Sequence, residues 1–111
     1  MPPRGTLKVI DAAEDFAVEV TKAFRRSRGT KSFARQTCDS AASVAANLNE
    51  GYDRGRGPDR MRFYGYARSS CEETLVWLRD AYALAEISKR DYYRLTNRGI
   101  TIVRMIRRLK Y

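Results

Sequence analysis

Apolar residues recur at intervals of three and four along almost the whole chain, and nowhere is there a sustained alternation of apolar and polar positions. That spacing places successive apolar side chains on one face of a helix and does not suit a half-buried strand. Four such segments follow one another, predicting helices over residues 7–28, 32–53, 58–86 and 89–109. In the first, Ile10, Ala13, Ala17, Val20 and Phe24 form one stripe. Gly29 ends it behind Arg25, Arg26 and Arg28, whose charge suits a helix C-terminus. The second stripe is Ala34, Thr37, Ala41, Val44, Leu48 and Tyr52, with small residues that let a neighbouring helix come close. Pro58 and Asp59 suit the first turn of the third helix. Ser88 with Asp91 reads as a capping pair for the fourth, in which Tyr92, Leu95, Gly99, Ile102, Ile106 and Leu109 recur.

The breaks between these segments are short, at Gly29 to Lys31, Arg54 to Gly57 and Glu86 to Ser88. Short connections make successive helices antiparallel neighbours. The expected fold is therefore all-α, an antiparallel up-and-down four-helix bundle, with all 111 residues in a single domain. The third segment carries two stripes. Tyr64, Ala67, Cys71, Leu75, Leu78 and Tyr82 form one, and Phe63, Tyr66, Ser70, Trp77 and Leu84 form an offset second. A lone bundle needs only one, so the second points to self-association, with Phe63, Tyr66 and Trp77 as the expected interface.

Lys and Arg number 22 against 13 Asp and Glu, a net charge of +9, and arginine outnumbers lysine. Arginine matches planar, bidentate acceptors such as phosphate, so the balance points first to a polyanionic partner, RNA or DNA. Simple solubility is the competing reading. The chain has no histidine, and its two cysteines are far apart, which excludes the usual zinc constellations and the commonest general base. No catalytic, metal-binding or cofactor-binding residues are expected. The sequence has no apolar run of membrane-spanning length and no apolar leader, so the expected compartment is the cytoplasm.

In an up-and-down bundle the start of helix 1, the loop between helices 2 and 3 and the end of helix 4 share one pole. That pole gathers Arg4, Lys8, Arg54, Arg56, Arg60, Arg62, Arg104, Arg107, Arg108 and Lys110. From Arg54 onward these are the expected nucleic-acid contacts, with affinity that falls steeply with salt. Pairing with Glu50, Asp53 and Asp59 is the competing use of the same arginines. The opposite pole carries Arg25, Arg26, Arg28, Lys31, Arg35, Lys89, Arg90 and Arg94, so charge alone chooses weakly between the ends. Arg54-Gly55-Arg56-Gly57 suits a phosphate-gripping tip, and equally an ordinary hairpin turn. Tyr92, Tyr93 and Tyr111 suit base stacking or ordinary packing.

Reflecting the chain about Gly55 places Gln36 and Ser40 level with Glu73 and Ser70, and Glu50 near Arg60. With Asn47 these predict a buried hydrogen-bonded motif, Gln36, Asn47, Glu50, Ser70 and Glu73, that fixes the register of helices 2 and 3. A metal-assisted hydrolase built on Glu50 and Glu73 is the weaker use of the same residues. The reflection also brings Cys38 level with Cys71. Packed helices lie ~8–10 Å apart and a disulfide needs Cα atoms within ~7 Å, so free thiols are expected.

The stretch Ser43-Val44-Ala45-Ala46-Asn47-Leu48-Asn49-Glu50-Gly51, then Arg54, resembles the signature of the "four helix bundle protein" family. Arg62-Phe63-Tyr64 and Ala67-Arg68-Ser69-Ser70 followed by Glu73 resemble its second signature, and Leu7, Ala13 and Gln36 also fit. That family includes proteins encoded in intervening sequences of large-subunit ribosomal RNA genes and is related to accessory proteins of diversity-generating retroelements. The resemblance spans residues 7–110. It implies an antiparallel bundle, assembly into a ring of five and binding of RNA or DNA. An alternative it also implies is a scaffold docking an acidic protein or a reverse transcriptase. The chain departs from the family pattern at Asn49, where alanine is usual, at Ser69, where glycine is usual, and at Arg60, where an apolar residue is common.

Overall fold

A computed structural model describes residues 4–109, with side chains from Lys8 onward. Four helices make up the fold: α1 (Arg4–Arg26), α2 (Ala34–Asp53), α3 (Pro58–Ala83) and α4 (Lys89–Arg107). Each helix packs against two neighbours, in the cycle α1–α2–α3–α4–α1, and among the described residues the backbones of neither diagonal pair come together. The result is a rod of 45 × 20 × 17 Å. Its core is drawn from one face of every helix: Val9, Phe16 and Val20 from α1, Val44 and Leu48 from α2, Leu78 from α3 and Leu95 from α4 are all fully buried. Burial of such side chains, ~1.5–3 kcal/mol each, is the main term holding the bundle. Among the described residues no helix is long and apolar enough to cross a membrane.

The ends follow local chemistry. Pro58 occupies the first turn of α3 with Asp59 beside it. Ser88 caps α4, its Oγ accepting the Asp91 N–H at 3.1 Å. Helix α3 stops at Ala83, three residues short of the expected 86. Ala85 turns left-handed (φ 57°), the Ala85 N–H reaches the Tyr82 carbonyl, and the Glu86 N–H reaches that of Ala81. This is a Schellman closure with alanine where glycine is usual. Glu86 is thereby turned inward, and its carboxylate accepts the Phe33 N–H at 2.9 Å, which ties the start of α2 to the α3–α4 turn. Helix α2 accordingly begins at Ala34, after the expected 32, and α1 ends at Arg26.

The α2–α3 seam is the most extensive, because small residues line it. Ser40 Oγ and Thr74 Oγ1 share a buried hydrogen bond of 2.8 Å. A Cβ on Gly51 would stand 2.8 Å from Tyr64 Cδ1, so only glycine admits that ring at its present depth. Gly99 plays the same part on α4, where a Cβ would meet Leu75 Cδ2 at 2.6 Å. Both cysteines are free thiols. Cys71 is buried, with its Sγ 3.4 Å from the Gly99 carbonyl, and burial pushes its thiol up to about 12. Cys38 is half-buried and faces Thr21 of α1.

Candidate nucleic-acid interface

The α2–α3 turn is made by two glycines in positive-φ conformations, Gly55 (76°) and Gly57 (126°). Arg54, still right-handed, folds back along its own helix. Its Nη2 and Nε lie 2.9 and 3.1 Å from Glu50 Oε1, and the guanidinium covers the Phe63 ring. Arg62 pairs with Asp59 at 3.2 Å and also lies against Phe63. These two cations are therefore partly neutralised by carboxylates of their own helices. Arg56 is exposed at the turn and has no carboxylate within 4.0 Å among the described residues.

Arg60 is a correction. The sequence places it on the charged pole beside Glu50, yet it is only 8% exposed. Its Nε donates to the Gly51 carbonyl (3.2 Å) and its Nη2 to the Tyr52 carbonyl (2.7 Å), while the guanidinium stacks over the Tyr52 ring. The last turn of a helix leaves carbonyls without partners; Arg60 supplies a donor to Gly51 and a second one to Tyr52, whose carbonyl also accepts the Gly55 N–H at 3.2 Å. It is a structural clamp and is not available to a phosphate.

The positions around the α4 terminus are also corrected. Gly99 meets Cys71 and Leu75, and Tyr92 stacks on Tyr82. That register sets the end of α4 level with about Gly65, so the α2–α3 turn projects past it by ~10 Å at 1.5 Å per residue. Arg104, Arg107 and Arg108 are exposed, and in that register they stand back along the rod from Arg56. Arg4 belongs to α1, but its side chain lies outside the described residues, as does Lys110.

The opposite end is internally compensated in part. Arg26 grips Asp91 with two hydrogen bonds (3.2 and 3.0 Å). Arg94 bridges Glu19 (2.8 Å) and Asp91 (3.1 Å). These groups border an open cavity of about 840 Å³ with Arg90 at its rim. Burial by itself would raise the Asp91 pKa. The Arg26 and Arg94 guanidiniums outweigh it and hold the carboxyl below its ordinary value. The hydrogen bond from Arg94 lowers Glu19 in the same way.

Together these pairings leave a different cationic surface from the expected pole. Asp91 is the one acid of α4, and it turns toward Arg26 of α1. The outward side of α4 presents Arg90, Arg98, Arg104 and Arg108, all exposed and, among the described residues, none within 4.0 Å of a carboxylate. Arg98 escapes a pole-based reading because it lies midway along the rod. The i, i+4 spacing of Arg90, Arg94 and Arg98 is the signal that finds it.

The expected buried polar motif does not assemble. Gln36 is exposed. Asn47 donates to the Ser43 carbonyl of its own helix (2.9 Å), and Glu50 is held by Arg54. Glu73 is exposed and accepts from Trp77 Nε1 (3.1 Å). Ser70 contributes only its carbonyl, to Thr74 Oγ1 (2.8 Å). The interhelical bond is Ser40–Thr74 instead, one helical turn beyond Ser40–Ser70. The cause is the turn itself: the chain continues forward through Arg54 and reverses late, at Gly57. Glu50 and Glu73 are thus in separate local pairs, and among the described residues no three acidic or thiol side chains converge.

On the second stripe of α3, Tyr66 is 49% exposed and meets Phe63 edge-on, and Phe63 is half-buried. Trp77 is half-buried against Phe33, with ring centroids 5.6 Å apart.

The family model of the 23S rRNA-intervening sequence protein matches residues 5–108. The chain belongs to this family. Within it, the Asn-x-x-Glu-Gly element of the chain serves the fold: Glu50 pins Arg54, and Gly51 admits Tyr64 while its carbonyl receives Arg60. A crystal structure of a protein of unknown function from the S23 ribosomal protein family, from Bacteroides thetaiotaomicron VPI-5482, is similar with a TM-score of 0.85. The two are 20% identical, over 92% of this chain and 94% of that one, a likeness of fold. No curated protein matches the chain.

Proposed function

We propose that this intervening sequence protein is a non-catalytic, cytoplasmic nucleic-acid-binding protein that contacts the phosphate backbone through arginines and works as a ring-shaped homo-oligomer, five subunits by family resemblance. The observation that carries the binding reading is the outward side of α4, where Arg90, Arg98, Arg104 and Arg108 stand exposed with no carboxylate close by among the described residues. Unpaired arginines repeated along a helix keep their full charge for phosphate, and releasing counterions on contact drives association. Arg107 is a further exposed cation at the same end of α4. Self-association is supported by the exposed apolar side chains of α3 and its C-cap, Tyr66, Val76 and Leu84, which a solitary bundle leaves in water.

The test is a salt-titrated gel shift with RNA and DNA. Replacing Arg98, Arg104 and Arg108 together by serine is expected to weaken binding to every sequence. It should also lower the slope of log K against log salt by about 0.7–0.9 for each phosphate that is no longer neutralised. Replacing Arg54 and Arg62, which are already paired, should do less. If nothing binds at low salt, the reading is wrong.

A further inference from the structure

Three tyrosines form a cluster at the α3–α4 end, of which Tyr82 and Tyr92 pack against the core and Tyr93 does not. Tyr82 of α3 and Tyr92 of α4 are half-buried and stacked, with centroids 4.5 Å apart and planes at 11°. Tyr93 meets both of them at an angle, 6.3 Å from Tyr82 and 5.1 Å from Tyr92. Two rings thus hold the third, yet Tyr93 remains 53% exposed. An aromatic ring placed for core packing would be covered. This one is fixed in orientation and presented to water.

Its surroundings are cationic. Lys89 and Arg90 stand one turn before Tyr93 on the outward side of α4, and all three are exposed. Arg79, also exposed, stands one turn before Tyr82 on α3. Asp91, the acid nearest Tyr93 in sequence, is occupied by Arg26 and Arg94, and Asp80, beside Arg79 on α3, is half-buried.

We infer that Tyr93, braced by Tyr82 and Tyr92 and flanked by Lys89, Arg90 and Arg79, is a stacking platform for an unpaired base, so that the substrate class is single-stranded nucleic acid. The inference rests on the proposed nucleic-acid-binding function and narrows it. Stacking on an aromatic ring is open to any base because every base has a π-face, and neighbouring cations hold the backbone. In a duplex those faces are already spent on one another, so a duplex gains only the charge term. The bracing matters because a ring already held in place loses little conformational freedom on binding.

The experiment compares fluorescence anisotropy for a labelled oligothymidylate, a duplex of the same length, and inorganic polyphosphate as a base-free competitor, at one fixed salt concentration. Tyr93→Ala is expected to weaken single-strand binding at least about fivefold, the equivalent of ~1 kcal/mol of stacking. Duplex and polyphosphate affinities should not change, and Tyr93→Phe, which keeps the ring, should bind like wild type. Tyr93→Leu keeps apolar bulk without a π-face, and gives the same result if alanine loosens the cluster. The inference is overturned if Tyr93→Ala and Tyr93→Leu leave single-strand affinity intact while loss of Arg98, Arg104 and Arg108 lowers binding of all three probes. In that case the parent reading stands. A drop in solution mass on Tyr93→Ala would overturn it too, by placing the ring at a subunit contact. If wild type binds none of the probes at low salt, the parent reading fails and takes this one with it.

Discussion

Arg60 Nη2 donates to the Tyr52 carbonyl across 2.7 Å, so that the first turn of α3 closes the last turn of α2. A hydrogen bond from a charged donor to a buried acceptor is among the stronger ones. Removing the donor strands the Gly51 carbonyl, leaves the Tyr52 carbonyl with only the Gly55 N–H, and deletes the stacking on the Tyr52 ring. Arg60→Ala is therefore expected to cost about 2–3 kcal/mol, read as a lower urea midpoint. Arg60→Lys should recover part of this, because one ammonium serves fewer acceptors in less favourable geometry. Phosphate affinity of the folded variants should be unchanged. A loss of nucleic-acid binding without a loss of stability would contradict the clamp.

The glycines of α2 and α3 should respond in opposite directions to the same substitution. Gly51→Ala brings a Cβ within 2.8 Å of the Tyr64 ring and 3.1 Å of Phe63 Cβ, and the ring cannot retreat from a buried seat without opening the seam. Overpacking of this kind costs about 1–3 kcal/mol, more than the ~1 kcal/mol gained in helix propensity. At Gly65 a Cβ meets nothing within 4 Å. Gly65→Ala should therefore stabilise the bundle by roughly 0.5–1 kcal/mol. Thermal melts of the two variants, moving in opposite directions from wild type, are the check.

Ala85 holds a left-handed φ of 57° at the end of α3, a conformation that a Cβ makes unfavourable. Ala85→Gly should raise stability by about 1 kcal/mol, since the strain is removed and the Schellman hydrogen bonds are kept. Chemical denaturation would show this as a higher midpoint with an unchanged slope. No gain would mean that the turn is held so firmly by Glu86 and Phe33 that glycine's extra freedom in the unfolded chain cancels the relief.

What the sequence reveals and what it hides follow from the same physics. Periodicity reports which face of a helix is apolar, so four helices and their antiparallel order are legible. Ser88 with Asp91 marks the start of α4 because its signal is local. The end of α3 is hidden because Ala85, a strong helix former, turns left-handed there, in a closure accompanied by the hydrogen bond from the distant Phe33 N–H to Glu86. The α2–α3 register is hidden because it depends on where within Arg54–Gly57 the chain reverses, and a shift of one turn exchanges Ser70 for Thr74 as the partner of Ser40. Arg60 misleads for a related reason. Charge in a sequence counts as surface charge until the unsatisfied carbonyls of a neighbouring helix end are known. The α4 stripe is readable from spacing, but a reading organised by poles passes over Arg98.

The link between Asp91 and its two arginines predicts how stability depends on pH. Burial alone would favour the protonated acid, yet Arg26 and Arg94 favour the carboxylate more strongly, so the folded-state pKa lies below the unfolded one. The contribution is then complete above the unfolded value, about 4 for an aspartate, and is lost as pH falls through the lower folded value. Asp91→Asn removes the charge but keeps the backbone N–H that Ser88 accepts, so the cap of α4 survives. With both arginines partly in water, the expected loss at neutral pH is about 1–2 kcal/mol, a charged hydrogen-bond pair discounted for screening. Urea midpoints should differ by a constant amount between pH 6 and 8 and converge as pH drops below about 4. Glu19, lowered by the same Arg94, remains in the variant and leaves it some acid sensitivity of its own. A gap between wild type and Asp91→Asn that stayed the same into strong acid would mean that the carboxylate's charge contributes nothing, and that the Arg26–Asp91–Arg94 link is held by shape alone.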